Sequence, residues 1–334
     1  MTASGAAILG CEGLRLSEAE RRLFRDTDPW GFILFARNID STAQVAGLTE
    51  ELRDSVGRDA PIFVDQEGGR VQRLRPPLAR DWAPPLEFAQ DYGPQAARAM
   101  YLRYRIIAAE LRAHGIDGNC APMLDVARRD THRFLRNRCY GETLDEVTEL
   151  GRSVALAHLD GGVLPVIKHM PGHGLARLDS HLDLPRIEAD RKTLEAVDFA
   201  AFRPFADLPL GMTAHLVFEA YDDAPATISP EMIGLIRDQI GFDGLLMTDD
   251  ISMEALSGTV AERGAASIAA GCDLVLHCNG EMDEMVALMD RVGTLSDAAV
   301  ARADRALAER RDPGEVDITA LTEMLEALPT ERSG

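Results

Sequence analysis

Eight short apolar runs recur along the chain, each followed by a longer segment of helical period. The runs are Ala6–Leu9, Gly31–Phe35, Pro61–Asp65, Gly118–Asp125, Pro165–His169, Gly211–Val217, Gly244–Thr248 and Asp273–His277. They are apolar almost throughout rather than alternating, which suits strands buried on both faces, as in a parallel sheet. The segments between them carry helix signals. Ser17 with Glu20, and Thr143 with Glu146, make capping boxes ahead of Ser17–Phe24 and Thr143–Leu159. Ser41–Val56 places Val45, Leu48, Leu52 and Val56 on one face. Ser229–Ile240 opens with a cap followed by proline and stops at Gly241. Gln95–Ala113, Arg191–Phe205, Met253–Ala270 and Asp283–Val292 complete the helical set. Eight βα repeats predict a single α/β domain, a (β/α)8 TIM-type barrel over residues 1–312. The rival is a doubly wound open sheet, but Gly10-Cys-Glu-Gly13 matches its phosphate turn poorly. Residues 313–334 read as a helical tail, packed on the barrel or partly mobile.

Charge and cysteine content narrow the class. Lys and Arg number 35 against 55 Asp and Glu, a net charge of −20. That balance argues against a nucleic-acid binder or a partner of anionic membrane. With 46% hydrophobic residues the chain is no acidic disordered segment. Its five cysteines form an odd set with no Cys-x-x-Cys, so neither a disulfide framework nor a zinc–cysteine site is expected. The start of the chain lacks a basic region ahead of an apolar core, and no apolar run reaches membrane-spanning length. A cytoplasmic protein is the expectation.

A barrel places its chemistry at the C-terminal ends of its strands. The polar residues fall there. The third run leads into Asp65-Gln-Glu-Gly-Gly-Arg-Val-Gln-Arg73, and the fourth into Asp125 and an arginine-rich loop to Arg138. The fifth leads into Lys168-His-Met-Pro-Gly-His-Gly174 and Asp179-Ser-His181. The sixth carries His215, and the seventh ends at Asp249-Asp250. Buried ionisable groups are costly, so their gathering at one end points to a polar small-molecule site.

These motifs, with Thr248-Asp-Asp-Ile-Ser-Met253, resemble glycoside hydrolase family 3, and within it the short bacterial β-N-acetylglucosaminidases of cell-wall recycling. The resemblance runs from about Leu9 to Cys278. It implies a retaining hydrolase that frees terminal GlcNAc from peptidoglycan fragments (GlcNAc-1,6-anhydro-MurNAc and its peptides), with no cofactor, no metal and no obligate protein partner. It implies Asp249 as nucleophile, His181 as general acid/base and Asp179 as the residue orienting His181. Asp65, Arg73, Arg138, Lys168 and His169 match positions that grip the sugar. The larger glucosidases of the family carry a second domain that supplies a glutamate acid, and a chain of 334 residues is too short for that plan. Met170 stands where the family usually has Phe, and Asn-Arg-Cys-Tyr-Gly141 departs from its usual pattern.

The chemistry is consistent from below. Retention needs one group to attack the anomeric carbon and one to protonate the leaving oxygen. A carboxylate ending a strand is well placed for attack, and an imidazole is available in both protonation states near neutrality. Asp250 should point away from Asp249 if the pleat continues, which suits a capping role. A neutral imidazole base also tolerates phosphate as acceptor, so phosphorolysis stands beside hydrolysis. A zinc site from His169, His173, His181, His215 and Asp249 is the metal-dependent alternative, and a sugar-binding sensor the non-enzymatic one. Asp65 with Arg73 or Lys168 could equally form an ion-pair network closing the barrel mouth. His173 stays open between shaping its loop and touching substrate. Among Arg128, Arg129, Arg133 and Arg136, one or two are expected to meet an anionic leaving group.

Overall fold

A computed structural model describes residues 3–176 and 184–331. Asp179 and His181 lie outside the described residues. Eight parallel strands close into a barrel: β1 (Gly5–Gly10), β2 (Pro29–Leu34), β3 (Ile62–Val64), β4 (Gly118–Asn119), β5 (Leu164–Met170), β6 (Leu210–Thr213), β7 (Leu245–Asp250) and β8 (Leu274–His277). Each strand pairs with its neighbours in sequence, and β8 returns to β1. This is the TIM-type barrel the sequence predicts.

The strand runs are continuously apolar because both faces are covered. Ile8, Ile33, Phe63, Val166, Met212, Met247 and Leu276 form one core. Their neighbours Leu9, Phe32, Val64 and Val275 pack in another with the surrounding helices. Alternate residues thus serve the inside and outside of the barrel. Gly118 makes this possible at β4, since a Cβ there would strike the Phe63 ring.

The helices begin where the caps say. α1 (Glu18–Thr27), α2 (Thr42–Val56) and α6 (Leu144–Asp160) start behind Ser17, Ser41 and Thr143. Between them lie α3 (Pro85–Tyr92), α4 (Ala96–Ala113) and the single turn α5 (Arg133–Arg136). Later come α7 (Arg191–Thr193), α8 (Pro230–Leu235), α9 (Val260–Ala270), α10 (Met282–Val292), α11 (Asp297–Ala308) and α12 (Ile318–Glu326). In the C-terminal segment, α12 packs on α4 and buries Leu325. Among the described residues no helix is long and apolar enough to cross a membrane.

Five expected elements differ. The helix expected over Ser229–Ile240 is α-helical only to Leu235 and π-helical over Ile236–Ile240. The strand expected over Gly118–Asp125 pairs as a ladder only at Gly118–Asn119, because Pro122 offers no N–H, and Met123 bridges back to Lys168. The strand expected over Gly211–Val217 ends at Thr213, and Val217–Phe218 pairs instead with Arg186–Ile187. The helix expected over Arg191–Phe205 breaks into α7, a π-helical turn at Leu194–Asp198 and a 3-10 turn at Arg203–Phe205 that contains Pro204. The helix expected from Met253 starts at Val260, behind a Thr259–Glu262 capping box.

Candidate active site

The C-terminal ends of the strands surround a cavity of about 310 Å3. That is the small end of the roughly 300–1,000 Å3 typical of ligand sites. Asp65, Arg73, Arg138, Lys168, His169 and Asp249 all line it. Six of the eight residues singled out from sequence therefore meet in one place, and the other two are the residues outside the description.

Asp249 stands near the end of β7, where strand pairing fixes its backbone. Its Oδ1 accepts from the Asp250 N–H at 2.8 Å. Burial opposes its charge, but His169, His215, the Asp250 N–H and Lys168 outweigh that and hold its carboxyl below the usual range. Burial lowers the pKa of His215 itself, so the support from His215 weakens near neutrality. Asp249 is thus an ionised carboxylate facing the cavity. Asp250 does other work. Its carboxylate accepts from Ser252 N, Ser252 Oγ and Cys278 N at 2.8–3.2 Å, joining the ends of β7 and β8.

His169 ends the Lys168-His169 pair on β5, and its Nδ1 lies 2.7 Å from Asp125 Oδ2. The Asp125 carboxyl is held low against its own burial chiefly by His169. Nδ1 therefore carries the proton, and Nε2 is the nitrogen available to the cavity. Asp125 Oδ1 also accepts the His173 backbone N–H at 2.6 Å. His173 itself lines the cavity, and burial pulls its pKa down to about 4, with His169 adding to the effect. It therefore meets the cavity as a neutral ring.

Another part of the site is a chain of alternating charges. Arg73 Nη2 donates to Asp65 Oδ2 at 2.9 Å, and Lys168 Nζ to Asp65 Oδ1 at 3.0 Å. Lys168 also reaches Glu67 Oε1 at 2.7 Å. Arg138 grips Glu67 through Nε and Nη2 at 2.9 and 2.8 Å. Burial works against the charge on each carboxylate. The cations nonetheless carry Asp65 far below its ordinary value, and Arg138 with Lys168 brings Glu67 to about 2. Lys168 is 2% exposed yet stays charged between its two carboxylates. Phe35 also lines the cavity, with the Arg73 guanidinium 4.9 Å from its ring centroid.

Two partners escaped the residue-by-residue reading. Glu67 sits inside the quoted Asp65–Arg73 motif, and Asp125 closes the fourth predicted run, but neither had a partner assigned. Arg138 is 71 residues from Glu67 and His169 is 44 from Asp125, so no local spacing reveals the pairs. The zinc alternative finds a poor donor set. His215 Nε2 donates to the Asp250 carbonyl at 2.9 Å and Nδ1 accepts from Thr227 Oγ1 at 2.8 Å, which leaves that ring no free nitrogen. Among the described residues no three His, Cys, Asp or Glu side chains cluster as a metal site.

Known proteins resemble this chain in sequence and fold. A family model described as the glycosyl hydrolase family 3 N-terminal domain matches residues 6–309. A protein named beta-hexosaminidase from Alkalilimnicola ehrlichii is 40% identical over 82% of this chain and 81% of its own. Another so named, from Methylobacillus flagellatus, is 36% identical over 85% and 83%. Among solved structures, NagZ from Neisseria gonorrhoeae in complex with N-trifluoroacetyl-D-glucosamine superposes with a TM-score of 0.84 at 30% identity, covering 98% of this chain and 95% of that one. A family 3 beta-N-acetylglucosaminidase from Paenibacillus sp. FPU-7 gives 0.85 at 31%, over 96% of this chain and 66% of that one. With its barrel, its cavity carboxylates and a family match across most of its length, the chain belongs to glycoside hydrolase family 3.

Proposed function

We propose that this enzyme is a retaining β-N-acetylglucosaminidase acting in the cytoplasm on peptidoglycan fragments, freeing non-reducing terminal GlcNAc from GlcNAc-1,6-anhydro-MurNAc and its peptides. The observation that carries the reading is the ionised Asp249 on the wall of a cavity lined by Asp65, Arg73, Lys168, Arg138 and His169. Sugar hydroxyls both donate and accept, and this wall offers charged groups of both signs to them. Curated relatives carrying the hexosaminidase name support the sugar assigned.

Asp249 attacks the anomeric carbon and forms a glycosyl ester while the bond to the leaving oxygen breaks. The leaving oxygen takes a proton from the His181 imidazolium, which Asp179 orients. His181, now neutral, removes a proton from the incoming water. Water then displaces Asp249, and net retention results. His169, His215, the Asp250 N–H and Lys168 together keep Asp249 unprotonated for the first step.

A 4-nitrophenyl glycoside series differing only in the sugar tests this. Cleavage of β-GlcNAc but not β-glucose is expected, with the β-anomer of free GlcNAc appearing first by NMR. First appearance of the α-anomer overturns the retaining mechanism. Sugar 1-phosphate formed in phosphate buffer overturns water as the acceptor.

A further inference from the structure

Glu67 is the one member of the charge chain with no proposed contact to sugar, yet it makes more of the chain's bonds than any other. It is 1% exposed, and its Oε1 accepts from both Lys168 and Arg138 while Oε2 takes the second arm of Arg138. We propose that Glu67 is the positioning residue of the sugar pocket, setting the place of Lys168 and Arg138 together. The proposal rests on the function assigned above.

The geometry supports one carboxylate ruling two cations. Lys168 comes from β5 and Arg138 from the loop after β4, so nothing covalent holds their head groups in register. A bidentate arginine–carboxylate pair fixes both distance and plane. Lys168 then has one Glu67 oxygen on one side and Asp65 on the other, which sets the position of its ammonium between them. Without Glu67, two buried cations would face each other with only Asp65 between them and the rest of the pocket.

Glu67 is itself held from below, with no sugar involved. Its backbone carbonyl accepts from Arg103 Nη2 at 2.6 Å and from Tyr104 Oη at 3.1 Å, both on α4. The Tyr140 hydroxyl donates to that of Tyr104 at 3.1 Å. The Arg103 guanidinium is buried among the rings of Trp82, Phe88 and Tyr104, at 5.2, 4.6 and 5.5 Å. Gly68 follows at φ 106°, and a Cβ there would collide with Arg103 Nη2. The hairpin Gln66–Gly68 with Val71–Gln72 is thereby fastened to the outer helix before it meets the cavity.

Replacement of Glu67 by alanine with formate as the probe tests the assignment. Formate is a carboxylate small enough to enter the space that Glu67→Ala opens. Measured on 4-nitrophenyl β-GlcNAc, kcat/KM of Glu67→Ala should fall about 100-fold, as expected when one side of a buried ion pair is removed. Formate should restore roughly tenfold of this, saturably, because charge-assisted bonds to both cations re-form. Lys168→Ala should show no rescue, and the wild type no activation. A substrate-free reading runs alongside: formate should raise the thermal midpoint of Glu67→Ala and leave that of the wild type unchanged. If Glu67→Ala folds, as judged by circular dichroism, and formate moves neither rate nor midpoint, the proposal is overturned. Wild-type kcat/KM in Glu67→Ala also overturns it. Should the alanine variant not fold, Glu67→Gln keeps the shape without the charge, and undiminished kcat/KM in that variant sinks the idea. A wild type that cleaves no aryl GlcNAc overturns the assigned function instead, and the formate-dependent midpoint still decides the role of Glu67.

Discussion

Glu110 on α4 carries a charge the barrel does not accommodate, and the cost can be read against pH. Its Oε1 accepts from Arg80 N at 2.8 Å, while Oε2 is buried and, among the described residues, has no hydrogen-bond partner. The Arg80 guanidinium is turned to Glu326 on α12, at 3.2 Å. Burial pushes the Glu110 carboxyl from its ordinary 4.5 to about 7, against the smaller pull of Arg80. Below pH 4.5 the folded and unfolded chains both hold the proton, and Glu110 contributes nothing to the pH dependence. Between 4.5 and 7 the unfolded chain releases it while the folded chain keeps it, so stability falls as pH rises. Above pH 7 the folded state bears the full cost. At about 1.4 kcal/mol per pH unit, this amounts to roughly 3 kcal/mol, reduced to about 1–3 kcal/mol by the water that reaches this partly exposed side chain. Glu110→Gln preserves the acceptor for Arg80 and never ionises, so it mimics the protonated acid. Urea denaturation at pH 5 and pH 8, with midpoints compared at constant m, gives the test. The variant should exceed the wild type by less than about 1 kcal/mol at pH 5 and by about 1–3 kcal/mol at pH 8. An equal difference at both pH values would refute the reasoning.

Other substitutions probe the cavity. Asp249→Asn should lower kcat by at least about 1,000-fold, roughly 4 kcal/mol of barrier, while calorimetry still detects GlcNAc binding; retained turnover would remove Asp249 from the mechanism. Asp125→Asn takes away the charge that receives His169 Nδ1–H and the His173 N–H, and kcat/KM should fall roughly 10–100-fold, in line with about 1.5–3 kcal/mol for hydrogen bonds to a charged group. An unaltered kcat/KM there would show that His169 needs no orienting partner. Arg136 is committed to Glu142 and the Arg128 carbonyl, whereas Arg133 is exposed and, among the described residues, has no carboxylate in reach. Arg133→Gln should therefore raise KM for anionic muropeptides about two- to fivefold, the scale of an exposed ion pair, and leave aryl GlcNAc unaffected. Arg136→Gln should alter both substrates alike, and the reverse pattern would reassign the two arginines.

The barrel was legible because its constraint is local and repeated. A strand buried on both faces must be apolar at every position, and Ile8-Leu9, Phe32-Ile33 and Leu245-Leu246-Met247 show it without reference to the rest of the chain. Helix starts were legible for the same reason: Ser17 and Thr143 satisfy N–H groups three residues away. The start of α9 was just as readable, since Thr259 and Glu262 form the same box, but the apolar Met253-Glu-Ala-Leu256 drew the expected boundary seven residues early. The site divides along similar lines. Positions at strand ends follow from the fold, so Asp65, Lys168, His169 and Asp249 could be placed in one cavity. Which carboxylate takes which cation depends on approaches across three loops, and Glu67 with Arg138 or Asp125 with His169 are pairs that only folding creates. The ion-pair reading of Asp65 and the sugar-binding reading turned out to be compatible, because Arg73 and Lys168 line the cavity while bonded to it.

The alternating chain from Arg73 to Arg138 has a consequence for how such a barrel can change. Loops on this fold are often treated as exchangeable parts, each free to vary on a fixed frame. Here the loops after β3 and β4 and the end of β5 share two carboxylates among three cations. A graft that replaces the β4 loop and loses Arg138 leaves Glu67 half-paired, and one that replaces the β3 loop strands Lys168. The three segments therefore form one inheritable unit. Swapping them singly between relatives should fail where swapping them together succeeds, and new specificity should enter more readily through the loops that stand outside the chain.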